Sequence, residues 1–374
     1  MEPLVLNFAL SAGSAFMLCF LFLFDIPKVN VAANKWLGVF YLCLACTFYQ
    51  LYLHKAGLSD DFQILVHLLE LSRWATMPCF YYAIINFTNP EYSKKGALVH
   101  LIPSLGFLLF SLRYVVPGFI GYPQQLPELP FLLKFIIRYF FTGQLVFYWL
   151  LSFRTLSAHR KHLLQIASSI ERVDLSWLKN LMLVSLAMIL VNFFPHNGSL
   201  LSNFIPLLYF SGMIFLAYYS IRQEPIFPVA LRQSAPSSDH QSNKEVFERL
   251  EVEQVEALQA RIVKITSEKK LYLDPSLSLP ALSEALEIGV QDLSYVLNNG
   301  LGKTFYQFIN ELRVEEAKAL LESEKVKSLD MLGIATHAGF NSKTTFNTTF
   351  KKATGFTPTQ YLKLHSQAPL NTQT

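Results

Sequence analysis

The stretch "GFNSKTTFNTTFKKATGFTPTQY", Gly339 to Tyr361, holds two adjacent lysines, five threonines between Ser342 and Gly355, and no acid. Phe346 and Phe350 stand four residues apart, the spacing that puts two side chains on one side of a helix. Ser342, just ahead of them, suits the N-cap, where its hydroxyl accepts from a first-turn N–H. At about 100° per residue, Thr344, Thr348, Lys351 and Lys352 turn away from the phenylalanines. Thr345 and Asn347 flank them, and Lys343 falls at the edge of the apolar face. Hydroxyls, an amide and two cations on an outer face suit phosphates and base edges.

The flanking sequence builds a larger plan around this helix. "LDMLGIATH" reads as a preceding helix, and Ala338–Phe340 as a tight turn. About 50 residues upstream the same plan occurs in "LPALSEALEIGVQDLSYVLNN". There a helix breaks near Ile288–Gly289, and a second helix points Leu293, Val296 and Leu297 inward. A longer helix over Thr304–Glu322 joins the two units. Each unit has helix-turn-helix geometry, whose second helix enters the DNA major groove. Leu271–Ser366 holds nine Lys/Arg against ten Asp/Glu, so its positive charge is concentrated at one end, with four lysines and no acid from Asn341 onward.

"IATHAGFNSKTTFNTTFKKATGFTPTQYLK" resembles the signature of AraC/XylS-type transcription regulators: an Ile-Ala helix, a Gly-Phe turn, Phe-x-x-x-Phe-Lys-Lys and Gly-x-Thr-Pro-x-x-Tyr. "YLDPSLSLPALSEALEI…LSYVLNNGLGKTFYQFINELRVEEAKALL" is similar to that family's first unit and connecting helix, so the likeness covers Leu271–Leu364. The resemblance implies a double helix-turn-helix domain reading two successive major-groove segments of duplex DNA. It implies Lys343, Thr344, Asn347 and Thr348 as base-reading residues, with Lys351 and Lys352 on phosphates. In the first unit it implies Gln291, Ser294 and Tyr295, with Asn298 nearby. Two departures stand out: Gly289 replaces the usual capping Ser or Thr, and Asp292 sits among the reading residues, where it would repel phosphate. No Lys or Arg occurs from Gly289 to Gly302, so weak binding or dimer support is expected of this unit. "GLGKT", Gly300–Thr304, is not a phosphate loop, because Leu297 occupies the position of the required first glycine.

The rest of the chain is of another kind. Of its 374 residues 52% are hydrophobic and only 16% charged, against about 25% charged in soluble domains. Charge is sparse before Arg222 and dense after Lys244. A helix needs about 20 apolar residues to cross a bilayer. Seven segments qualify or nearly do: Leu4–Phe24, Trp36–Leu53, Phe62–Phe87, Ala97–Val116, Phe131–Phe153, Leu175–Phe194 and Asn203–Ile221. The first lacks a basic flank and a small-residue cleavage site before Asp25, so it is expected to be a retained span rather than a signal peptide. With the N-terminus outside, the inner loops hold nine Lys/Arg, among them Lys94, Lys95, Arg160 and Lys161, while Pro117–Pro130 holds none. The expected fold is therefore all-α: a seven-helix transmembrane bundle at 1–221 in a bacterial inner membrane, followed by a cytoplasmic double helix-turn-helix domain at 271–366 and a tail at 367–374. Seven spans ahead of such a domain also resemble membrane-embedded bacterial members of the family.

Ionisable residues inside spans are candidates for function. His67, Glu70 and Arg73 recur every three residues on one face, and Lys134 and Arg138 share another. With this orientation His67, Glu70, Lys134 and Arg138 fall in the outer half of the membrane, as does Arg113, and a basic cavity there suits a small anionic or polar ligand. Arg113 and Lys134, within four residues of helix ends, read more readily as snorkelling to the interface, whereas Arg138 is deeper. Glu70 with Arg73 reads equally well as a neutralised structural pair. His159 and His162 read as solvated charge in an inner loop.

Cys43 and Cys46 have CxxC spacing, but no second ligand pair completes a zinc site, and Cys19 and Cys79 also lie in apolar runs. No HExxH, GxSxG or carboxylate pair points to an enzyme, and no metal or cofactor is implied. Residues 222–243, with three prolines, read as a linker, and 244–270 as an amphipathic helix that either pairs with a second chain or packs on the following domain. The leading expectation is a membrane-bound one-component regulator, with membrane lipid, duplex DNA, a ligand and a homodimer mate as partners. A transporter or membrane enzyme with a DNA-binding tail, and a tethered factor released by proteolysis, stand as alternatives.

Overall fold

The computed structural model describes residues 3–24, 30–89, 97–119, 130–170, 252–323 and 328–366, with scattered positions between 175 and 218. All elements among the described residues are helical, apart from one isolated antiparallel bridge between Ala167 and Ser278. The chain divides into two compact units. One comprises Met1–Ala158 and Leu175–Ile226, and the other His159–Asp174 and Phe227–Thr374. The linear division expected from composition did not include the piece 159–174 in the second unit.

In the first unit, α1 (Pro3–Leu23), α2 (Val31–Lys55) and α3 (Gln63–Thr88) pack in succession. The expected fourth span is broken at Leu101 into a single turn, α4 (Ala97–His100), and α5 (Ile102–Phe119). The fifth, α6 (Phe131–Ile166), runs 36 residues, well past its expected end at Phe153. At 1.5 Å per residue it is about 54 Å long, against about 30 Å of hydrocarbon in a bilayer. Among the described residues, α1, α2 and α6 are long and apolar enough to cross a membrane, and α5 contributes the shorter apolar stretch Ile102–Leu112. The expected spans at 175–194 and 203–221 lie largely outside the described residues, though 177–180 and 210–215 are helical.

Pro78 lies in the middle of α3, where it can supply no N–H to the carbonyl of Trp74 one turn earlier. The buried amide of Gln144 on α6 takes that place, donating to the Trp74 carbonyl at 2.9 Å. The Trp74 ring packs on Phe107, Phe140 and Phe141 at centroid distances of 5.0, 5.9 and 5.1 Å. A broken backbone bond in one helix is thus repaired by a side chain from another, as an apolar setting requires.

In the second unit, α7 (Val252–Glu268) leads through a turn at Leu271–Leu273 into α8 (Leu279–Leu286) and α9 (Val290–Tyr295), which continues as a π turn, Val296–Gly300. Then follow α10 (Phe305–Glu322), α11 (Met331–His337), α12 (Lys343–Thr354) and α13 (Pro358–Ser366). Two cores lie side by side. Ile262, Leu282, Leu293, Val296, Leu297 and Phe308 belong to the first, and Val314, Ile334, Phe340, Phe346 and Phe350 to the second. α10 serves both, and Arg313, fully buried, stands between its two sets of apolar residues. Val255, Leu258, Ile262 and Ile265 turn α7 onto the first core, so the described part of the amphipathic stretch expected at 244–270 packs on its own domain; residues 244–251 lie outside the described residues. Ile262, the fully buried member of the stripe, stabilises the fold by about 1.5–3 kcal/mol. His159 is buried and His162 half-buried, which corrects the reading of both as solvated: the helix continues through them instead of forming a loop.

Candidate nucleic-acid interface

The second helix-turn-helix unit is made by local chemistry. Asp330 caps α11 by accepting from the Gly333 N–H at 2.6 Å. The turn that follows returns the Gly339 N–H to the Thr336 carbonyl at 3.0 Å and the Phe340 N–H to Ala335 at 2.9 Å. Gly339 has φ +87°, and a Cβ there would stand 2.6 Å from the Tyr272 carbonyl oxygen, so both conformation and space demand glycine. Ser342 accepts from the Thr345 N–H at 3.1 Å, and Gly355, at φ 82°, ends α12. Thr357 and Gln360 then form a capping box: the Gln360 amide oxygen accepts from the Thr357 N–H at 2.9 Å, and the Thr357 hydroxyl from the Gln360 N–H at 3.3 Å. Pro358 opens α13, where a missing N–H costs nothing. The Tyr361 ring meets Phe350 at 5.3 Å, and its hydroxyl donates to Glu322 at 2.7 Å. Most of the Gly-x-Thr-Pro-x-x-Tyr signature is therefore the hardware that stops one helix and starts the next.

What remains is the outer face of α12. Phe346 and Phe350 are fully buried, while Lys343, Thr344, Thr348, Lys351 and Lys352 are exposed and Asn347 is half-buried. Lys343, placed at the edge by the helical wheel, lies on the open side. The Thr348 hydroxyl donates to the Thr344 carbonyl at 2.9 Å, and its oxygen keeps its capacity to accept. Lys351 and Lys352 occupy the last turn, where a cation also complements the helix dipole.

The first unit presents a different face. Gln291 is exposed, whereas Ser294, Tyr295 and Asn298 are half-buried. Asn298 donates its amide to the Ser294 carbonyl at 2.9 Å and hydroxyl at 3.3 Å, so these two residues are tied to each other. The two departures noted at Gly289 and Asp292 form one device. The Asp292 carboxylate folds back over the start of α9, to within 3.1 Å of where a Cβ on Gly289 would stand. A negative charge there faces the positive end of the helix, in place of a capping hydroxyl. Asp292 is half-buried, as are Ser294, Tyr295 and Asn298.

Between the units sits a residue that the sequence reading passed over. Arg313 donates from Nε to the Tyr272 carbonyl at 2.8 Å and from Nη2 to the Asp274 carbonyl at 2.9 Å. It also donates from Nη1 to the Ser168 carbonyl and from Nη2 to the Ser168 hydroxyl, each at 3.0 Å. Its guanidinium lies 6.0 Å from the centre of the Phe340 ring, in the turn of the second unit. The signal was present in the sequence: Arg313 falls four residues after Ile309 and four before Ala317, on the apolar stripe of α10. Tyr272 reinforces the same junction by donating to Glu316 at 2.9 Å. Burial, with that bond, pushes its phenol up to about 12, so it stays a donor.

In the N-terminal compact unit, Glu70 lies 4.0 Å from both His67 and Arg73, so the expected triplet shares one face of α3. The Arg73 guanidinium lies 5.2 Å from the centre of the Phe141 ring on α6, three residues beyond Arg138. Lys134 and Arg138 are exposed, and the side chain of Arg113 lies outside the described residues. Cys19, Cys43, Cys46 and Cys79 are free thiols.

Comparison with known proteins bears only on the C-terminal compact unit, on both of its helix-turn-helix units. Residues 282–364 match the family model described as a helix-turn-helix domain. The melibiose operon regulatory proteins of Escherichia coli strain K12 and of strain O6:H1 are each 33% identical over 94 residues, or 25% of this chain. An uncharacterized HTH-type transcriptional regulator of Staphylococcus aureus (strain COL) is 37% identical over 92 residues, again 25% of this chain. The chain spans 30% of the length of the melibiose regulators and 12% of the staphylococcal protein. No solved structure matches it significantly. The two cores joined by α10, the capped turn at Gly339 and these matches agree: residues 282–364 form a helix-turn-helix domain of the AraC type.

Proposed function

We propose that this protein is a membrane-bound, one-component transcription regulator. It carries seven spans with the N-terminus outside, and an AraC-type domain in the bacterial cytoplasm that binds promoter DNA sequence-specifically. The single observation that carries the reading is one chain joining an exposed Thr/Lys face on α12 to helices apolar enough to cross a bilayer. Large apolar side chains exposed on those helices, such as Phe16, Met17, Phe131 and Phe140, suit a lipid surface.

On this reading Lys343, Thr344, Asn347 and Thr348 read bases, and Lys351 and Lys352 hold phosphates. Gln291, Ser294, Tyr295 and Asn298 make a second, uncharged contact, so a homodimer bridging two half-sites strengthens binding. The His67–Glu70–Arg73 face with Lys134 and Arg138 receives an anionic or polar ligand, which shifts the protein between two states only by binding one more tightly. No catalysis is assigned to the chain.

The test is a footprint and a reporter assay on the full chain in membranes. Lys351→Ala/Lys352→Ala is expected to weaken protection of a duplex selected by the wild-type protein at least tenfold, without abolishing it. Undiminished protection with both lysines gone refutes the groove-face assignment. Arg138→Ala is expected to leave DNA binding intact while abolishing the reporter's response to growth conditions. An unchanged response removes the ligand role from that face.

A further inference from the structure

The bridge between Ala167 and Ser278 belongs to a larger joint. Ile166, Ala167, Ser168 and Ile170 are all buried. The Ser168 N–H and hydroxyl both donate to the Leu277 carbonyl, at 3.3 and 2.6 Å. The Ser168 carbonyl accepts from Asn310 at 3.1 Å and Arg313 at 3.0 Å, and the Ser169 hydroxyl lies 3.4 Å from Arg313 Nη1. Both polar groups of the Ser168 backbone and its side chain are thus satisfied by residues more than 100 positions away, all inside the second unit. Ser278, opposite Ala167, is the N-cap of α8, accepting from the Ala281 N–H at 3.4 Å.

The same Arg313 that holds Ser168 also holds the carbonyls of Tyr272 and Asp274 beside the first helix-turn-helix unit, and lies over Phe340 in the second. Three pieces of chain therefore meet at one buried guanidinium, whose planar fork of five donors suits such a junction. One of those pieces is the direct continuation of α6, which ends at Ile166 and carries Lys134, Arg138 and the Gln144 clasp on Trp74.

We propose that residues 166–170 are a docking segment, seated on α10 at Asn310 and Arg313, that holds the two helix-turn-helix units in the mutual orientation needed for two successive grooves. The segment is the internal partner of that surface, and the route from the membrane helices to DNA runs through the end of α6 as well as through the 222–270 connection. This rests on the regulator reading. Seated, the segment gives Arg313 its third set of acceptors and removes freedom between the units. Released, it leaves a buried cation short of partners, and the units must be ordered on DNA at an entropic cost.

The experiment uses the full chain in membranes, with Cys19, Cys43, Cys46 and Cys79 changed to Ala. Ala167→Cys/Ser278→Cys is expected to form an internal disulfide on mild oxidation, visible as a mobility shift reversed by reductant, while binding of the selected duplex stays at the parent level. Ala167→Asp, which alters the segment and none of the DNA-facing residues, is expected to weaken binding of that duplex at least tenfold at unchanged membrane abundance. Failure of the cysteine pair to cross-link overturns the docking. Cross-linking combined with undiminished binding by Ala167→Asp overturns the orienting role, and tighter binding by Ala167→Asp does so by making the seat inhibitory. The parent chain itself reports on the regulator reading separately: intact cross-linking of the cysteine pair in a chain that selects no duplex refutes that reading alone.

Discussion

Lys351 and Lys352 are adjacent, exposed and in the last turn of α12, so their contribution to DNA binding should be electrostatic and independent of base sequence. Removing both is expected to flatten the dependence of log K on log salt by about 2, because each phosphate contact released contributes about 0.9 to the slope. Titration of the reconstituted chain between low and moderate salt checks this, and an unchanged slope places the lysines off the phosphates. Gly339 makes a structural prediction at the same scale. Its φ of +87° and the 2.6 Å approach to the Tyr272 carbonyl oppose any side chain. Gly339→Ala is expected to destabilise the second unit by roughly 1–3 kcal/mol, read as earlier proteolysis of that unit on heating. The lysine face was legible from spacing alone, because the phenylalanine pair orients the helix. Arg313 was not: a cation on an apolar stripe signals burial, but which carbonyls meet it depends on chain that lies far off in sequence.

Among the elements, the join between α3 and α6 offers a sharper test than any single substitution. Gln144→Leu leaves the Trp74 carbonyl without its donor and is expected to cost about 1–3 kcal/mol. Pro78→Ala in the same background restores a backbone N–H to that carbonyl and should recover most of the loss. Thermal unfolding in detergent of the two single variants and the double variant checks the cycle, and strict additivity would falsify the repair. Element positions were largely readable. The helix expected at Thr304–Glu322 is Phe305–Glu322 with Thr304 as its cap, and the helix expected from Ser342 is Lys343–Thr354 with Ser342 as its cap. Capping is decided by residues within three positions, so local sequence reports it. The extension of α6 to Ile166 was missed because basic residues after Phe153 read as a loop, although they suit a helix equally well once the segment beyond is anchored.

For the molecule as a whole, the distribution of Lys and Arg makes the topology testable. In a background free of native cysteines, Gln125→Cys is expected to react with a membrane-impermeant thiol reagent on intact cells, and Lys94→Cys only after lysis. The reverse pattern would invert the orientation and put the helix-turn-helix domain on the wrong side for DNA. The sequence by itself determined the helix-turn-helix units and the polar face of α12, because periodicity, capping and charge act over a few residues. Tertiary structure alone decided that α7 lies on the first core and that residues 159–174 belong with the C-terminal compact unit. The physical reason is that a buried polar group must find partners wherever the fold brings them. Ser168 finds its partners at Leu277, Asn310 and Arg313, at separations no local pattern records.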